Sequence, residues 1–518
     1  MRKWWPLVAI CLGTFMLLVD VTIVNVALPD MAVDLGTSFS SLQWVIDAYA
    51  LALAALLMGI GSIADIGGHR RAYIAGLGLF AAASLACGVA PNAGVLITAR
   101  AVQGVGGAAM FATTFALLNG SYRGRDRGTA YGIWGAVSGA SAALGPIIGG
   151  LLTQGLSWRW IFFVNIPVSV AAIALARSVL SGGRPTQQRR VDVPGMVSFT
   201  AAAAALTFAM IRASDDGWAA ASVLGLLAFG ATALAVFVAI EQRSDHALLD
   251  LALFRNQSFV GVIVAALLLN FSAFAYFAYT SIWLQSFLGL SPIQAGLTGL
   301  PLSASSFLVS AMIGRFLHRT APGPIIGGGM LLIGGGALTS ALLVGRQSSW
   351  PALVAGFIIG GLGVGLATPT LSSTAMGAVA PDRGGMAAGA VNTARQLGFA
   401  FGIAVLGSVF ASRAGHSLNA AGVPRSSGMA TALAGGQARA VIGAAPPAQR
   451  GDLVNAIQGA FASGLDAAFL VAGLAGVLAG LVVLVLVRKS TPEPATWSTG
   501  PTVAEPNPKP QPDADLAR

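Results

Sequence analysis

Four polar side chains interrupt long apolar runs of this sequence at positions where little water is expected. Asp20 lies within MLLVDVTIVNVALPDM, Arg100 and Gln103 lie within RAVQGVGGAA, and Arg395 lies within NTARQLGFAFG. Because an uncompensated charge in such surroundings costs about a few kcal/mol or more, each charged group must face a cavity or a partner, or, for the acid, take up a proton. An acid whose protonation depends on the side that it faces suits proton-coupled transport.

A structural role is the alternative for each of these residues. A protonated Asp20 could hydrogen-bond a neighbouring helix, Arg100 could belong to a structural pair, and Arg395 could pair with an acid instead of positioning a substrate. Arg100 and Gln103 are one helical turn apart and share a face. The sequence favours a functional role for Asp20, Arg100 and Arg395, and it leaves their partners open.

The elements that carry these residues are predicted to be membrane-spanning helices. The chain has 518 residues, 55% of them hydrophobic and 9% charged, whereas soluble domains have roughly 25% charged residues. Apolar runs long enough to cross a hydrocarbon core of about 30 Å recur along the chain. We place fourteen of them, at 5–28, 42–64, 72–90, 93–118, 129–152, 160–180, 193–212, 218–240, 258–281, 294–317, 323–344, 350–376, 386–411 and 464–487.

The distribution of positive charge predicts the orientation. With the N-terminus inside, eighteen Lys and Arg residues fall in inner segments, and three (Arg159, Arg212 and Arg346) fall in short outer loops. Cytoplasmic segments carry such an excess of basic residues. We therefore predict that both termini are cytoplasmic and that the net charge of +10 reflects topology, with no nucleic-acid partner.

An internal repeat organises the helices. A shift of 257 residues aligns LITARAVQGVGGAAMFATT with LVAGFIIGGLGVGLATPTL, and pairs Gly104 with Gly361 and Gly106 with Gly363. Parallel repeats of this kind build the central site of many secondary transporters. Chance similarity between glycine-rich helices is the alternative.

The repeat predicts an all-α polytopic protein made of two six-helix bundles. They comprise residues 1–180 and 246–489, and two inserted helices lie between them in 181–245. The second bundle is expected to include a long outer loop, 412–463, in which DLVNAIQGAFASGL forms a short amphipathic helix on the membrane. The proline-rich tail, 490–518, is expected to be disordered and cytoplasmic.

The segment GSIADIGGHRRAYIAG, after the second run, is the predicted gating loop. Gly61 and Gly68 suit a tight helix exit and turn. Asp65 can face a helix N-terminus or a neighbouring guanidinium, and Arg70 and Arg71 are retained at the cytoplasmic side. A charged stop-transfer loop and a breakable charged latch are both compatible with this pattern.

Two further helices carry candidate residues. In YGIWGAVSGASAALGPIIGGLL, Pro146 is expected to kink the helix, while Gly145, Gly149 and Gly150 leave a groove for another helix. These four residues are called the antiporter helix motif below. In NFSAFAYFAYTSIWLQ, Tyr276 shares an aromatic face with Tyr279 and Trp283. That face can stack on flat, cationic drugs or form an interfacial aromatic belt; both remain open for Tyr276, and the belt is favoured for Trp283.

These motifs together resemble the major facilitator superfamily. GSIADIGGHRR is similar to its loop signature, RAVQG to its helix-4 motif, and GPIIGG to the helix-5 motif of its antiporters. With LLVDVTIVNVALP in the first helix, SWRWIFFVNIP entering the sixth, and fourteen spans, the chain resembles the fourteen-helix drug:H⁺ antiporter branch from Trp5 to Lys489. It departs from the loop signature at Ile66 and His69, where basic residues are usual.

The resemblance implies alternating access, with proton entry driving substrate out. It matches Asp20 to the helix-1 acid that handles substrate and proton, and Arg100 to the arginine linked to proton transfer. Asp65 and Arg70 match the conformational latch, and the region of Pro146 matches an interface specific to exporters.

The expected function is proton-coupled export of amphipathic, cationic drugs or antibiotics across the bacterial cell membrane. The alternative is an exporter dedicated to one endogenous metabolite, such as a self-made antibiotic, a siderophore, a lipid or an amino acid. The chain has no P-loop, HExxH or CxxC motif, and only four His and two Cys, so we expect no enzyme activity, metal site or cofactor. The expected partners are protons, a small amphipathic substrate and the lipid bilayer, and the expected state is a monomer.

Overall fold

The computed structural model describes most of the chain as helices. The described residues are 2–37, 39–181, 192–244, 247–314, 320–379 and 384–487, and no β-strand occurs among them. The predicted disordered tail, 490–518, lies outside these residues.

The first half contains six long helical segments. They are α1 (Trp5–Asp34), α2 (Phe39–Gly67), α3 (His69–Gly88), α4 (Ala93–Ser121), α5 (Gly124–Gly155), and the pair α6 (Trp160–Phe163) and α7 (Asn165–Val179), which together form the sixth. Local signals set the helix starts. Helix α1 has a proline in its first turn, where the missing N–H is tolerated, and the Asn92 side chain caps α4 by accepting from Val95 N at 3.0 Å.

Two inserted helices and the second half follow. The inserted helices are α8 (Val193–Asp216) and α9 (Ala221–Glu241). The second half comprises α10 (Gln257–Ala273), α11 (Tyr276–Ile282), α12 (Pro292–Leu297), α13 (Leu300–Ile313), α14 (Pro322–Leu343), α15 (Val354–Gly377), α16 (Gly384–Ala420), α17 (Ser426–Ala434), α18 (Ala438–Ala444) and α19 (Arg450–Leu486). A π-helical turn, Trp283–Phe287, extends α11.

The helices agree with the predicted spans. Among the described residues, thirteen helical stretches are long and apolar enough to cross a membrane, and the bent helix α5 makes fourteen when its two parts count as one span. That bend is 44° between Gly124–Ser141 and Leu144–Gly155. It confirms the kink expected near Pro146, because proline lacks the N–H that would bond one turn back.

The predicted repeat is visible in how matched glycines pack. A Cβ atom placed on Gly104 of α4 would lie 2.6 Å from the carbonyl oxygen of Tyr49 in α2. The same atom on Gly361 of α15 would lie 2.3 Å from the carbonyl oxygen of Leu302 in α13. Both glycines therefore allow the fourth helix of their half to touch the second.

The next matched pair makes the corresponding contact with the third helix. A Cβ on Gly106 would lie 2.7 Å from the backbone nitrogen of Phe80 in α3, and one on Gly363 would lie 2.4 Å from the carbonyl oxygen of Gly329 in α14. Contacts of the same kind at both matched positions support duplication over chance similarity.

The two halves meet along what we call the seam, formed by α2 and α4 against α16 and by α5 against α12, α13 and α15. Small residues allow close approach there. A Cβ on Gly61 of α2 would lie 2.4 Å from the carbonyl oxygen of Gly385 in α16, and one on Gly132 of α5 would lie 2.5 Å from that of Ser310 in α13. Backbone contact at these points fixes how the halves fit together.

The prediction for DLVNAIQGAFASGL was wrong. These residues are the first turns of α19, a continuous helix of 37 residues, rather than a separate short helix. Within 412–463 the structure also contains the end of α16 together with α17 and α18. Buried residues such as Ile457 and Phe461 place the start of α19 against the rest of the second half, so its apolar face is covered by protein.

Candidate functional site

Asp20 and Arg100 form a buried ion pair between α1 and α4. Asp20 Oδ2 lies 2.5 Å from Arg100 Nη1, and the two side chains are 0% and 1% exposed. The sequence singled out both residues but left their partners open. Their pairing removes the uncompensated charge that each would otherwise bring into the apolar interior.

Two amide side chains complete the carboxylate's hydrogen bonds. Gln103 Nε2 donates to Asp20 Oδ1 at 3.1 Å, and Asn165 Nδ2 donates to the same oxygen at 2.8 Å. Gln103 Oε1 in turn accepts from Arg100 Nη1 at 2.7 Å. The predicted residues Asp20, Arg100 and Gln103 thus belong to one network, and Asn165 of α7 joins them.

Arg100 is also held from its other side by α2. Its Nε donates to the carbonyl oxygen of Val45 at 3.0 Å, and its guanidinium lies 4.2 Å from the ring centroid of Tyr49. The Tyr49 hydroxyl is buried and has no hydrogen-bond partner among the residues that the structure describes. This stacking and the single carbonyl contact leave the planar guanidinium oriented toward Asp20.

Sequence reasoning missed Asn165, Ser84 and Tyr49. Ser84 Oγ accepts from Gln103 Nε2 at 2.7 Å and from Asn165 Nδ2 at 3.1 Å, which links α3 to the network. A signal for Asn165 was present, because it is the polar residue that interrupts the apolar run IFFVNIP of the quoted SWRWIFFVNIP motif. A single serine or tyrosine in an apolar helix gives no comparable signal.

The network pairs one carboxylate with one guanidinium, so its net charge is zero while Asp20 is ionised. A proton on Asp20 would abolish the negative charge that holds Arg100. It would also turn one carboxylate oxygen into a hydrogen-bond donor, which changes the acceptor that the amides of Gln103 and Asn165 and the guanidinium of Arg100 share. Charge interactions are strong in a site with so little water. Protonation of one carboxyl can therefore rearrange contacts among α1, α3, α4 and α7.

Arg395 of α16 lies at the seam, whereas the Asp20 network lies within the first half. It is 8% exposed, and its guanidinium carbon lies 6.0 Å from the ring centroid of Trp134 in α5. Among the described residues no carboxylate forms an ion pair with it, and its Nε has no hydrogen-bond partner. The structural alternative, pairing with an acid, therefore finds no support in the described part of the chain.

Tyr276 lies in an aromatic cluster of the second half, apart from Asp20. Its ring centroid lies 5.1 Å from those of Phe277 and Phe469 and 6.1 Å from that of Phe357. The belt interpretation of Trp283 was wrong, because Trp283 is only 3% exposed and a belt residue must reach the lipid interface. The sequence of one helix does not show which of its faces other helices of the same half cover, so the burial of Trp283 could not be predicted.

Asp65 joins the two halves at the predicted cytoplasmic side. Its Oδ1 accepts from Gly385 N at 2.7 Å and its Oδ2 from Met386 N at 2.9 Å, so the carboxylate caps the N-terminus of α16. A helix N-terminus was one of the two partners expected for Asp65. One turn earlier, Gly61 allows the backbone contact with Gly385 described above.

The rest of the gating loop stays within the first half. Gly68 has a φ of +95°, which favours glycine, and it directs the chain into α3. His69 Nε2 lies 3.3 Å from Asp65 Oδ1. Arg70 Nη2 donates to the carbonyl oxygen of Arg177 at 2.5 Å, and Arg71 is exposed.

Comparison with known proteins identifies the family of this helical arrangement. The family model described as Major Facilitator Superfamily matches residues 10–403. The chain belongs to the Major Facilitator Superfamily. It is 36% identical over 407 residues to the multidrug resistance protein Stp of Mycobacterium tuberculosis, covering 78% of this chain and 75% of Stp. It is 32% identical over 508 residues to the tetracenomycin C resistance and export protein of Streptomyces glaucescens, covering 95% and 93% of the two chains.

Solved structures agree on the fold. The proton:xylose symporter XylE matches with a TM-score of 0.63 at 12% identity, over 94% of this chain and 96% of XylE. At that identity the likeness shows the fold alone. Family and relatives together make this protein a multi-pass membrane transporter, related to bacterial multidrug and antibiotic resistance proteins, and not an enzyme.

In this Major Facilitator Superfamily protein the four residues of the antiporter helix motif contact two different elements, α1 and α12. A Cβ on Gly145 would lie 3.1 Å from the carbonyl oxygen of Val19, and one on Gly149 would lie 2.9 Å from that of Ile23, so both glycines face α1.

The other two motif residues face the second half. A Cβ on Gly150 would lie 2.4 Å from Ile293 Cγ1 of α12, and one on Gly296 would lie 2.8 Å from Pro146 Cβ. The motif therefore lies between the helix that carries Asp20 and the opposite half of the molecule.

Proposed function

We propose that this transporter is a proton-coupled exporter of amphipathic, cationic drugs or antibiotics, working by alternating access across the bacterial cytoplasmic membrane. The observation that carries the proposal is the buried Asp20–Arg100 pair, in which one carboxylate joins the three helices α1, α4 and α7. The relatives named for multidrug and antibiotic resistance support the export of such compounds.

The coupling step is competition for the Asp20 carboxylate. When Arg100 contacts Asp20, the acid is charged and satisfied. A proton that arrives on Asp20 weakens this contact and frees Arg100, and loss of that proton on the cytoplasmic side restores it. A cationic substrate competes for the same carboxylate, so proton and drug bind in alternation, as antiport requires.

The contacts between the halves link this exchange to access. Asp65 and Gly61 join α2 to α16 at the predicted cytoplasmic side, while Gly150 and Pro146 join α5 to α12 further along the seam. Opening either contact exposes the interior on one side. Gly145 and Gly149 of α5 touch the backbone of α1. A shift of α1 on protonation of Asp20 would therefore displace α5 directly.

The driving force depends on the charge of the substrate. One proton that crosses about 100 mV supplies roughly 2.3 kcal/mol, which corresponds to about a fifty-fold gradient of a neutral substrate. A monovalent cation that exchanges one for one with a proton moves no net charge, so its export is driven by the pH difference. No cofactor is needed for such a cycle.

Inverted membrane vesicles test the proposal. We would energise vesicles that contain wild type, Asp20→Asn or Asp34→Asn, and measure ethidium uptake together with the collapse of the pH gradient. Asp34 is the matched control because it is a carboxylate at the end of the same helix, and its side chain is 46% exposed. Wild type and Asp34→Asn should take up dye at the expense of the gradient, and Asp20→Asn should not. Normal coupled uptake by Asp20→Asn would refute the role of Asp20.

A dedicated exporter is the second candidate. The relative named for tetracenomycin C resistance and export aligns over 95% of this chain, and another relative is a puromycin resistance protein of Streptomyces alboniger, 37% identical over 415 residues. If a folded, inserted wild type moves no dye of a broad panel yet confers resistance to one antibiotic, the dedicated function replaces the multidrug one.

A further inference from the structure

Arg395 is a buried cation that lacks an acidic partner in the described part of the chain. Only 8% of the residue is exposed and Nε has no hydrogen-bond partner. Arg100, the other arginine inside the bundle, contacts a carboxylate, an amide oxygen and a backbone carbonyl. Because a buried guanidinium without such contacts is costly, an anionic group placed next to Arg395 would be stabilised.

Polar and aromatic groups from both halves surround this position. Asn392, one helical turn before Arg395, donates from Nδ2 to the carbonyl oxygen of Phe111 at 3.3 Å, and its own Oδ1 is buried without a partner. Trp134 presents its ring to the guanidinium and is fixed by a hydrogen bond from Nε1 to Thr14 Oγ1 at 3.1 Å. Helices α1, α4, α5 and α16 therefore meet here.

We propose that Arg395 binds an acidic group, a carboxylate or a comparable oxyanion, on the exported molecule. A guanidinium can bind both oxygens of a carboxylate through two parallel hydrogen bonds. The inference rests on the proposed export function and narrows its substrate class to amphipathic molecules that carry an acid.

The position also relates to the Asp20 network. Thr14, which fixes Trp134, precedes Asp20 by six residues of α1, a rise of about 9 Å along the helix axis. A molecule that places an ammonium near Asp20 and an acid near Arg395 would bridge the two sites. Amphoteric drugs are thus favoured over drugs that carry only a positive charge.

Two dyes that differ in one carboxyl group test this inference. Rhodamine 6G is a cationic ethyl ester, and rhodamine 19 is its free acid with the same ring system. We would measure binding of each dye by fluorescence polarisation to protein in lipid nanodiscs, and export of each dye by energised vesicles. The variants are Arg395→Gln, Arg395→Lys and the control Arg212→Gln, which alters an arginine of α8 whose side chain is 42% exposed.

The measured quantity is the ratio of affinities for acid and ester. Wild type and Arg212→Gln should prefer the acid by about tenfold or more, as expected for a hydrogen bond to a charged group. Arg395→Gln should lose the preference, and Arg395→Lys should keep part of it because a point charge remains. A charge-dependent ratio is not expected from a purely structural arginine.

Three results would overturn the inference. Equal binding of both dyes by wild type, or preference for the ester, would exclude an acid-binding role while leaving export itself intact. Equal loss of both dyes in a folded Arg395→Gln protein would indicate a structural role. If folded wild type exports ethidium but neither binds nor exports either rhodamine, the acid preference fails alone; if it exports none of the three dyes, the proposed drug export fails first.

Discussion

The two halves of the molecule place different chemistry at matched positions. The repeat that pairs Gly104 with Gly361 also pairs Arg100 with Phe357 and Gln103 with Gly360. In the first half these positions hold the ion pair and its amide. In the second half Phe357 packs against Tyr276, at 6.1 Å between ring centroids. The matched positions thus share helix contacts but differ in the chemistry of the interior.

The same contrast extends to three helices in each half. Asp20, Arg100 and Asn165 join α1, α4 and α7 through hydrogen bonds, whereas Tyr276, Phe357 and Phe469 join α11, α15 and α19 through rings. Packing between aromatic rings stabilises the fold and needs no charged group. A buried ion pair adds little net stability over apolar packing, so its presence in one half favours a switching role there.

Loss of Arg100 should have the largest effect. Arg100→Gln leaves the Asp20 carboxylate buried without its cation, which should reduce the free energy of unfolding by about 3–5 kcal/mol and abolish coupled dye uptake. Thermal unfolding in detergent and vesicle uptake measure the two effects. The double variant Asp20→Asn/Arg100→Gln should regain much of the stability but no coupling. If the double variant were as unstable as the single one, the uncompensated charge would not be the cause.

The matched residue of the second half should affect stability alone. Phe357→Ala opens a cavity beside Tyr276 and should lower the free energy of unfolding by about 3 kcal/mol. The number of protons exchanged per dye should remain that of wild type, because no charge is altered. Measured proton and dye fluxes in the same vesicles check this. A changed ratio would show that the aromatic cluster takes part in coupling, and the contrast between the halves would be lost.

Close approach at the seam should have an intermediate effect. Gly61→Ala places a methyl group 2.4 Å from the carbonyl oxygen of Gly385 and should reduce dye export several-fold, with a loss of about 1–3 kcal/mol in stability. Gly78→Ala in α3 is the matched control, because no described residue of another helix lies within 4 Å of its added Cβ. The export rates and melting temperatures of both variants measure the effect. Equal values for Gly61→Ala and Gly78→Ala would mean that close approach of α2 and α16 at this contact is not required.

The sequence predicted the spans, the repeat and the residues of the ion pair, because each leaves a local signal. Asp20, Arg100 and Gln103 are conspicuous in apolar helices. Their mutual contact could not be predicted, since it depends on the rotation and depth of two helices that are 80 residues apart. Asn165 was missed for the same reason, and Trp283 was misassigned because one helix does not reveal which side its neighbours cover.

Loss of the exposed Asp34–Arg159 ion pair of the first half should have the smallest effect, and the effect should depend on pH. Arg159 and, at 3.0 Å, Trp158 Nε1 bond to Asp34 Oδ2, and the hydrogen bond from Arg159 lowers the pKa of Asp34 below its ordinary value. A carboxyl with a depressed folded pKa stabilises the protein above the unfolded pKa, and this contribution is lost as the pH falls through the folded value.

Asp34→Asn should therefore lower the melting temperature slightly at pH 7, with a difference that disappears only below about pH 4 and weakens in salt. Melting curves from pH 7 to pH 3 measure this difference. If the difference in melting temperature persisted in acid, Asp34 would stabilise the protein through packing and not through its charge.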